Sequence, residues 1–395
     1  MATTAAQAAS QPAKPSPKQI NAAARSLILD QAQNMMQQIF SLTVTPSNQN
    51  VINVPLRNVG LVKGLLVEMT ATASNTDAAN AQNATNWNVA NLLSQIVLTD
   101  TSNNTRINTS GWHLHAINSA KRRRPYAGVT TLSSMPIKYG NNYSTLIQAP
   151  ATIAKGSPTT GTLNMLYYVP LAYSDHDLRG SLYMGVVNAT AQLQLTINLS
   201  PGATNVGDPT LAIYQNAAGT TLATLTSVTV NVYQHYLDQL PSGTQGVILP
   251  PLDISTIYEL KNTNLTGMTV GQDFPMPFAN FRDFLSTTII YDNGGSNNAG
   301  TDVNYWALQA ANQVNYYKVD PTIQVLSTRN ELGVDFPAAT YYFNHRGKPI
   351  STLQYGNQSI IGNFSTVNAG AVALIGYEDF AYVNTVMSAG SLPGG

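Results

Sequence analysis

The chain has 395 residues, a formal net charge of zero at pH 7 and no cysteine, which excludes disulfides, thiolate zinc sites and cysteine nucleophiles. Only 10% of its residues are charged, compared with about 25% in ordinary globular chains, and such a surface suits dense packing against copies of itself. Because nucleic-acid binding depends on Lys and Arg residues that neutralise phosphates, we expect no direct bulk binding of nucleic acid.

The N-terminal region divides into an arm and a predicted helix. Residues 1–19 are rich in Ala, Gln, Ser and Pro, and they cannot bury enough apolar surface to order themselves. From Gln19 to Phe40 the apolar residues recur at helical spacing, which predicts an amphipathic helix. Its apolar stripe could pack on its own domain, on a neighbouring subunit or on a membrane surface. The basic residues that we expect to face a membrane are Lys14, Lys18 and Arg25.

From Leu42 onward the sequence is typical of β-strands. Short runs of Thr, Val, Ile and Tyr alternate with clusters of Gly, Asn, Pro and Ser. The clearest predicted strands are Val59–Thr72, Gln95–Thr99, Leu163–Leu171, Ala191–Leu199 and Leu225–Tyr236 in the first half, and Thr287–Tyr291, Thr340–Phe343, Ile350–Tyr355 and Ala371–Tyr377 in the second. Many short strands separated by polar loops predict an antiparallel sandwich or barrel.

The length and the position of the prolines indicate two domains. A chain of 395 residues is long enough to form two domains of about 150–200 residues, each with its own hydrophobic core. Prolines and glycines interrupt any continuous strand around residues 241–252, which we assign as the linker. The predicted units are the arm and helix (1–45), a first domain (46–240), the linker (241–252), a second domain (253–384) and a tail (385–395). We expect no membrane-spanning segment, since no run approaches the roughly 20 apolar residues that one requires.

Two segments of the chain share the pattern Trp-x-Leu-x-Ala-x-Asn: Trp112–Asn118 and Trp306–Asn312. Each follows an Ala-Asn pair, an apolar run that ends in Asp and an Asn-Asn turn. Similarity over such a distance indicates a duplicated structural unit. Both segments are predicted to be helices, with Ser110 and Asp302 as available N-caps. The first domain contributes Trp112, Leu114 and Asn118, and the second contributes Trp306, Leu308 and Asn312. We expect these two sets to occupy equivalent places in the two domains.

No motif supports an enzyme, a metal site or a cofactor. His113-x-His115 resembles the start of a cupin metal motif, but the next Glu in the sequence is Glu259. Residues two apart do not share a face of a helix, so ordinary packing is the favoured interpretation.

The basic run Lys121–Arg124 is the only one in the chain. It could be a solvated loop face, or it could contact an anionic surface, either lipid headgroups or an acidic neighbour. The sequence leaves these alternatives open.

Several longer strings resemble one protein family. In the first half they are Val59–Gly64, Ser110–His115, Pro136–Gly140, Ala149–Ala154 and Tyr168–Ser174. In the second half they are Tyr236–Pro241, Asp292–Ser296, Ala299–Asp302, Pro349–Ile350, Thr352–Asn357 and Gly376–Glu378. In order and in content these strings are similar to the major capsid proteins of tectiviruses, which are membrane-containing bacteriophages.

The resemblance implies an all-β chain with two tandem eight-stranded jelly rolls, short helices and an N-terminal helical arm. It also implies a structural, non-enzymatic protein of the virion, assembled in the host cytoplasm. Three copies would form a capsomer of roughly hexagonal outline in an icosahedral shell around an internal lipid membrane. The expected partners are further copies of the chain, the membrane through the arm, and minor capsid, cement and vertex proteins.

An alternative function is a tandem β-sandwich that binds carbohydrate or mediates adhesion. The twenty tyrosines and the polar loops suggest it. An export signal would favour this function, and the N-terminus lacks the apolar run of a signal peptide.

Overall fold

A computed structural model describes most of the chain. The described residues are 27–100, 105–122, 149–156, 159–174, 176–184, 193–200, 212–216, 223–240, 256–294, 301–310, 314–333, 335–355 and 357–382. The predicted linker, the tail, and the residues Lys14, Lys18, Arg25 and Asn312 lie outside them.

Strands dominate the described residues. In the first half they are β1 (Gln33–Val44), β2 (Val51–Pro55), β3 (Leu61–Asn75), β4 (Gln82–Ala84), β5 (Leu93–Thr99), β6 (Thr105–Thr109), β7 (Thr152–Ile153), β8 (Thr159–Pro170), β9 (Leu182–Tyr183), β10 (Gln194–Leu199), β11 (Tyr214–Gln215) and β12 (Ala223–Asp238). In the second half they are β13 (Thr256–Leu265), β14 (Asp273–Pro277), β15 (Arg282–Asp292), β16 (Val303–Ala310), β17 (Val314–Val319), β18 (Thr340–Asn344), β19 (Ile350–Ser351), β20 (Gln358–Phe364) and β21 (Val372–Tyr382). The helices are α1 (residues 27–31), a 3₁₀ turn (Asn88–Leu92), α2 (Gly111–Arg122), α3 (Pro321–Leu332) and α4 (Thr352–Tyr355).

The strands form two sandwiches that share one sheet. The shared sheet has nine strands, ordered β18-β15-β21-β13-β6-β5-β10-β2, with β19 attached to β15. Its β6, β5, β10 and β2 pack against the sheet β1-β12-β3-β8, and these two layers are the first sandwich. Its β18, β15, β21 and β13 pack against the sheet β14-β20-β16-β17, and these two are the second sandwich. The two halves of the shared sheet meet where β13 runs parallel to β6, with Leu260 opposite Ile107.

The predicted strands agree well with this architecture. The five in the first half overlap β3, β5, β8, β10 and β12, and those in the second half overlap β15, β18, β19 and β21. One prediction is wrong at its end. The strand predicted over Ile350–Tyr355 ends at Ser351, and the remaining four residues form α4.

The predicted helix from Gln19 to Phe40 is wrong beyond residue 31. Residues 27–31 are helical, but β1 then begins at Gln33 and pairs with β12 as far as Val44. This pairing satisfies the backbone groups along one edge of the twelve-residue strand, and tertiary pairing of this kind overrides a local helical spacing. Residues 33–44, which the sequence places in the arm region, are thus part of the first sandwich.

The two Trp segments do not occupy equivalent places, so this prediction is also wrong. Trp112 and Leu114 lie on α2, whereas Trp306 and Leu308 lie on β16. Both tryptophans are buried, with 1% and 0% of their surface exposed. The second segment is a strand because it pairs with β20 on one side and β17 on the other. Pairing with two strands outweighs the local preference of a seven-residue pattern.

Trp306 is the centre of the second sandwich's core. Its ring lies 4.9 Å from that of Tyr341, 5.9 Å from that of Phe343 and 6.0 Å from that of Phe364, measured between centroids. Ring pairs at these distances add to the free energy gained from burial.

We predict that Trp306→Ala lowers the free energy of unfolding by about 3–5 kcal/mol, because it removes these contacts and leaves a cavity. Urea titrations at fixed protein concentration measure the loss. Val270→Ala, at a side chain that is 53% exposed, is the control and should change the free energy by less than about 0.5 kcal/mol. Equal stability of the two variants would contradict the role of Trp306.

Candidate functional site between the two sandwiches

The last turn of α2 inserts a lysine from the first sandwich into the second. Lys121 Nζ lies 3.0 Å from Glu378 Oε1 on β21 and 2.8 Å from Tyr258 Oη on β13. It also donates to the carbonyl oxygen of Tyr173, at 2.9 Å. The rings of Tyr173 and Tyr258 lie 4.8 and 4.4 Å from the ammonium group, so cation–π attraction adds to the charge contacts.

Glu378 is the centre of a group that we call the junction cluster, which comprises Lys121, Tyr258, Ser286, Arg346 and Glu378. The Glu378 side chain has no solvent exposure, and its carboxylate accepts hydrogen bonds from all four other members. Tyr258 Oη donates at 2.7 Å and Ser286 Oγ at 2.6 Å, and the Arg346 guanidinium donates to the second carboxylate oxygen. A buried carboxylate with every partner in place is tolerated, whereas one that has lost a partner is costly.

The charges of the junction cluster keep Glu378 ionised. Burial by itself would raise its pKa, but the positive charges of Arg346 and Lys121 and the two hydroxyl donors outweigh burial. The pKa of Glu378 therefore lies well below its ordinary value. Burial raises the pKa of Tyr258, and the neighbouring Glu378 charge raises it further, so the phenol stays a donor.

A second ion cluster lies on the same sheet. Arg282 on β15 donates to Asp379 Oδ1 at 2.9 Å and also to Glu259, which lies opposite Asp379 in the β13–β21 pairing. Lys261 Nζ lies 2.7 Å from Glu259 Oε2. Burial raises the pKa of Asp379 to about 7, although the charge of Arg282 opposes the shift. These contacts tie β13, β15 and β21 together.

Aromatic rings form a second bridge between the sandwiches. Trp87 precedes the 3₁₀ turn, and its ring lies 6.0 Å from that of Trp112 on α2. On its other side Trp87 stacks on Phe336 at 6.5 Å, and Phe336 stacks on Tyr342 of β18 at 5.4 Å. The largest hydrophobic core therefore contains residues of both sandwiches, among them Tyr258, Leu260, Tyr342 and Phe380 of the second.

The helix α2 also lies very close to β21. A Cβ atom on Gly376 would lie 2.2 Å from Cδ2 of His113, so only glycine allows this approach. His113 is fully buried, its Nδ1 lies 2.6 Å from Thr109 Oγ1, and burial lowers its pKa to about 3. Burial likewise lowers the pKa of His115 to about 4. Both imidazoles are therefore neutral packing groups, and within the described residues no three His, Cys, Asp or Glu side chains group as a metal site would need.

A polar cleft of about 480 Å³ opens beside this contact, between the two sandwiches. Asn262 Nδ2 donates to Ser110 Oγ across it at 2.5 Å, and Trp112 and Leu374 contribute its apolar wall. The described residues that line the cleft are all uncharged.

Only some residues of this site are predicted from the sequence. Trp112 and Leu114 are buried at the junction, and Asn118 donates to the Tyr168 carbonyl of β8. Trp306 and Leu308 belong instead to the core of the second sandwich. The sequence places Lys121 in a basic run, whereas in the structure its charged partner is the acidic Glu378. No sequence pattern connects Lys121 with Glu378, because the two residues meet only in the tertiary structure.

We predict that Glu378→Gln lowers the free energy of unfolding by about 3–5 kcal/mol, because it leaves Lys121 and Arg346 buried without a counter-charge. Lys121→Met should cost less, since Arg346 still pairs with the carboxylate. Glu331→Gln, at an exposed Glu that accepts a hydrogen bond from Asn344, is the matched control. Urea titrations measure all three variants, and a cost for Glu378→Gln no greater than that of the control would refute the role of the junction cluster.

The buried histidines predict loss of stability in acid. Folded His113 stays neutral down to about pH 3, whereas the unfolded chain protonates it near pH 6.5, so the free energy of unfolding falls as the pH drops below about 6.5. His113→Gln should reduce the slope of this free energy against pH by about 1.4 kcal/mol per pH unit between roughly pH 4 and 6. Urea titrations across this range measure the slope, and an unchanged slope would show that His113 takes up its proton in the folded protein.

Comparisons with known proteins agree with this architecture. Residues 2–240 match the family model described as P3 major capsid protein N-terminal, and residues 255–393 match the one described as P3 major capsid protein C-terminal. The major capsid protein P3 of Enterobacteria phage PRD1 is 42% identical over 374 residues, which cover 94% of this chain and 93% of that protein.

Solved structures show the same fold at low sequence identity. The STIV MCP is 11% identical with a TM-score of 0.62, covering 91% of this chain and 100% of its own. The major capsid protein P2 from bacteriophage PM2 is 7% identical with a TM-score of 0.50, covering 90% of this chain and 99% of its own. These neighbours are double jelly-roll capsid proteins, which confirms the predicted fold class. The chain belongs to the P3 major capsid protein family of tectiviruses, and it is a structural, non-enzymatic subunit of the virion's capsid.

Proposed function

We propose that the chain assembles into homotrimers of roughly hexagonal outline, and that these trimers form an icosahedral shell around an internal lipid membrane. Each chain contributes two sandwiches, so three chains supply the six similar sides that a hexagonal lattice site needs. The single observation that carries this proposal is the rigid connection of the two sandwiches within one chain.

A hexagonal outline requires a fixed angle between the two sandwiches. The continuous nine-stranded sheet sets their relative position through the β13–β6 pairing. The junction cluster and the Trp87–Phe336–Tyr342 stack then oppose rotation about this line. Packed interfaces of this kind hold discrete arrangements and do not deform continuously.

The surface of the chain favours contact with copies of itself. With 10% charged residues, little charge must be removed from water when subunits meet. Apolar side chains are exposed on the second sandwich: Ile323 (54%) and Leu326 (41%) share one face of α3, and Phe281 is 58% exposed. Contacts between subunits would remove these apolar side chains from water.

The arm is proposed to contact the membrane inside the shell or to switch conformation between capsomer sites. Residues 1–26 precede α1, where Ile28 is buried against Leu61, Leu178 and Leu237. No described helix is both long and apolar enough to cross a bilayer. The contact that we propose is electrostatic. A basic residue near anionic headgroups contributes about 1 kcal/mol, and repetition over many subunits multiplies the effect. The basic residues concerned are Lys14, Lys18 and Arg25.

Minor capsid, cement and vertex proteins complete the proposed set of partners. The domain assignment belongs to the same proposal, with β1 moved from the arm to the first unit: two jelly rolls within 33–240 and 253–384, joined by residues 241–252.

We predict that the purified protein sediments as a trimer at micromolar concentration in physiological salt, with three times the 42.2 kDa mass of one chain. Sedimentation equilibrium measures this mass. A monomer under these conditions would overturn the proposed capsomer.

We predict that deleting residues 1–18, and with them Lys14 and Lys18, leaves the trimer intact but impairs assembly of particles around lipid. Sedimentation measures the trimer, and electron microscopy with lipid analysis measures the particles. A truncated protein that builds normal membrane-filled particles would exclude the arm from this role.

A further inference from the structure

One strand of the first sandwich has an unprotected edge. Among the described residues, β1 pairs only with β12, so its other edge presents free backbone N–H and C=O groups. The strand is twelve residues long, and its first six side chains, from Gln33 to Gln38, are all exposed. Both faces of this half are therefore uncovered, and Met36 is 53% exposed.

The other described edge strands are protected in ways that β1 is not. The edge strands β2 and β18 have five residues each, and β2 ends in Pro55. The edge strand β14 contains Pro275 and Pro277, and β17 contains Lys318. Helix α2 packs on the long edge strand β8, and Asn118 donates to its Tyr168 carbonyl. Short length, proline, lysine and a covering helix are the usual means by which proteins prevent edge-to-edge pairing.

The sequence of β1 contains none of these protective residues. It reads Gln-Asn-Met-Met-Gln-Gln-Ile-Phe-Ser-Leu-Thr-Val, without charge and without proline. A bulge between Gln38 and Phe40 is its single irregularity. When such a strand lies against a copy of itself, no like charges face each other, and opposed like charges are what destabilise cross-strand pairs.

We propose that β1 is an assembly surface that pairs with β1 of a second copy of this chain, as an antiparallel extension of the β1-β12-β3-β8 sheet. The inference rests on the proposed assembly of trimers into a shell. The partner must offer a long free edge, and among the described strands β1 is the one that offers it. Antiparallel pairing of identical strands generates a twofold axis, which a threefold capsomer lacks, so this contact joins neighbouring trimers. Full pairing of twelve residues would span about 40 Å.

The absence of cysteine makes a direct test possible. Single cysteines are placed in turn at each position from Gln33 to Thr43, and particles and isolated trimers are oxidised. In an antiparallel pair, opposite Cα atoms lie about 4.5–5.5 Å apart, within the range of a disulfide. The expected result is a disulfide-linked dimer in particles and not in trimers, strongest at one position and weaker on either side. The control is Val51→Cys, at an exposed residue (46%) of the edge strand β2, which should give no dimer.

Hydrogen exchange on the unmodified chain covers the case in which the cysteine variants do not assemble. Amide exchange in β1 should slow at least about tenfold between isolated trimers and particles, while β2 stays unchanged. Unchanged exchange in β1, absence of dimers at every β1 position in particles, or equal cross-linking of Val51→Cys would overturn the proposal. The mass of the isolated protein separates the two hypotheses: a trimer whose β1 stays unpaired in particles refutes this inference alone, whereas a monomer refutes the capsomer itself.

Discussion

The architecture depends on one buried carboxylate. Glu378 lies on β21 of the second sandwich, yet one of its two cationic partners, Lys121, comes from α2 of the first. Ionisation of a fully buried side chain is tolerable only because Lys121 and Arg346 stand within hydrogen-bond reach. Displacement of either sandwich would separate these charges in a region with little water. The cluster therefore penalises relative motion far more strongly than an exposed salt bridge would.

This constraint acts together with backbone pairing. The β13–β6 contact makes one sheet of strands from both sandwiches, and the closeness of His113 to Gly376 allows α2 to cover its second face. The half of the shared sheet in the second sandwich is thus covered on one side by its own partner sheet and on the other by the first sandwich. A subunit of this construction behaves as one block, which a repeating shell requires of its components.

The errors of sequence interpretation have a common physical cause. Two segments predicted to be helices, one from its helical spacing and one from its available N-cap, are held as the strands β1 and β16 by hydrogen bonds to β12 and to β20, which lie far away in sequence. Propensity and periodicity describe only neighbours along the chain. The Trp repeat does not mark a duplicated unit, because Trp112 is on a helix and Trp306 is on a strand, although both tryptophans are buried.

The sequence by itself determined the class of fold, the division into two domains, the weakly charged surface and the family, since alternation of side chains, loop composition and long shared strings are local properties of the chain. Only the tertiary structure decided which edge remains open and which charges meet. Lys121 lies 137 positions before Tyr258, its hydrogen-bond partner, and no spacing rule connects residues so far apart. Their contact follows from sheet pairing, which brings α2 onto β13 and β21. Because these charges are buried, the loss of any one of them leaves its partners unpaired at a high cost in free energy.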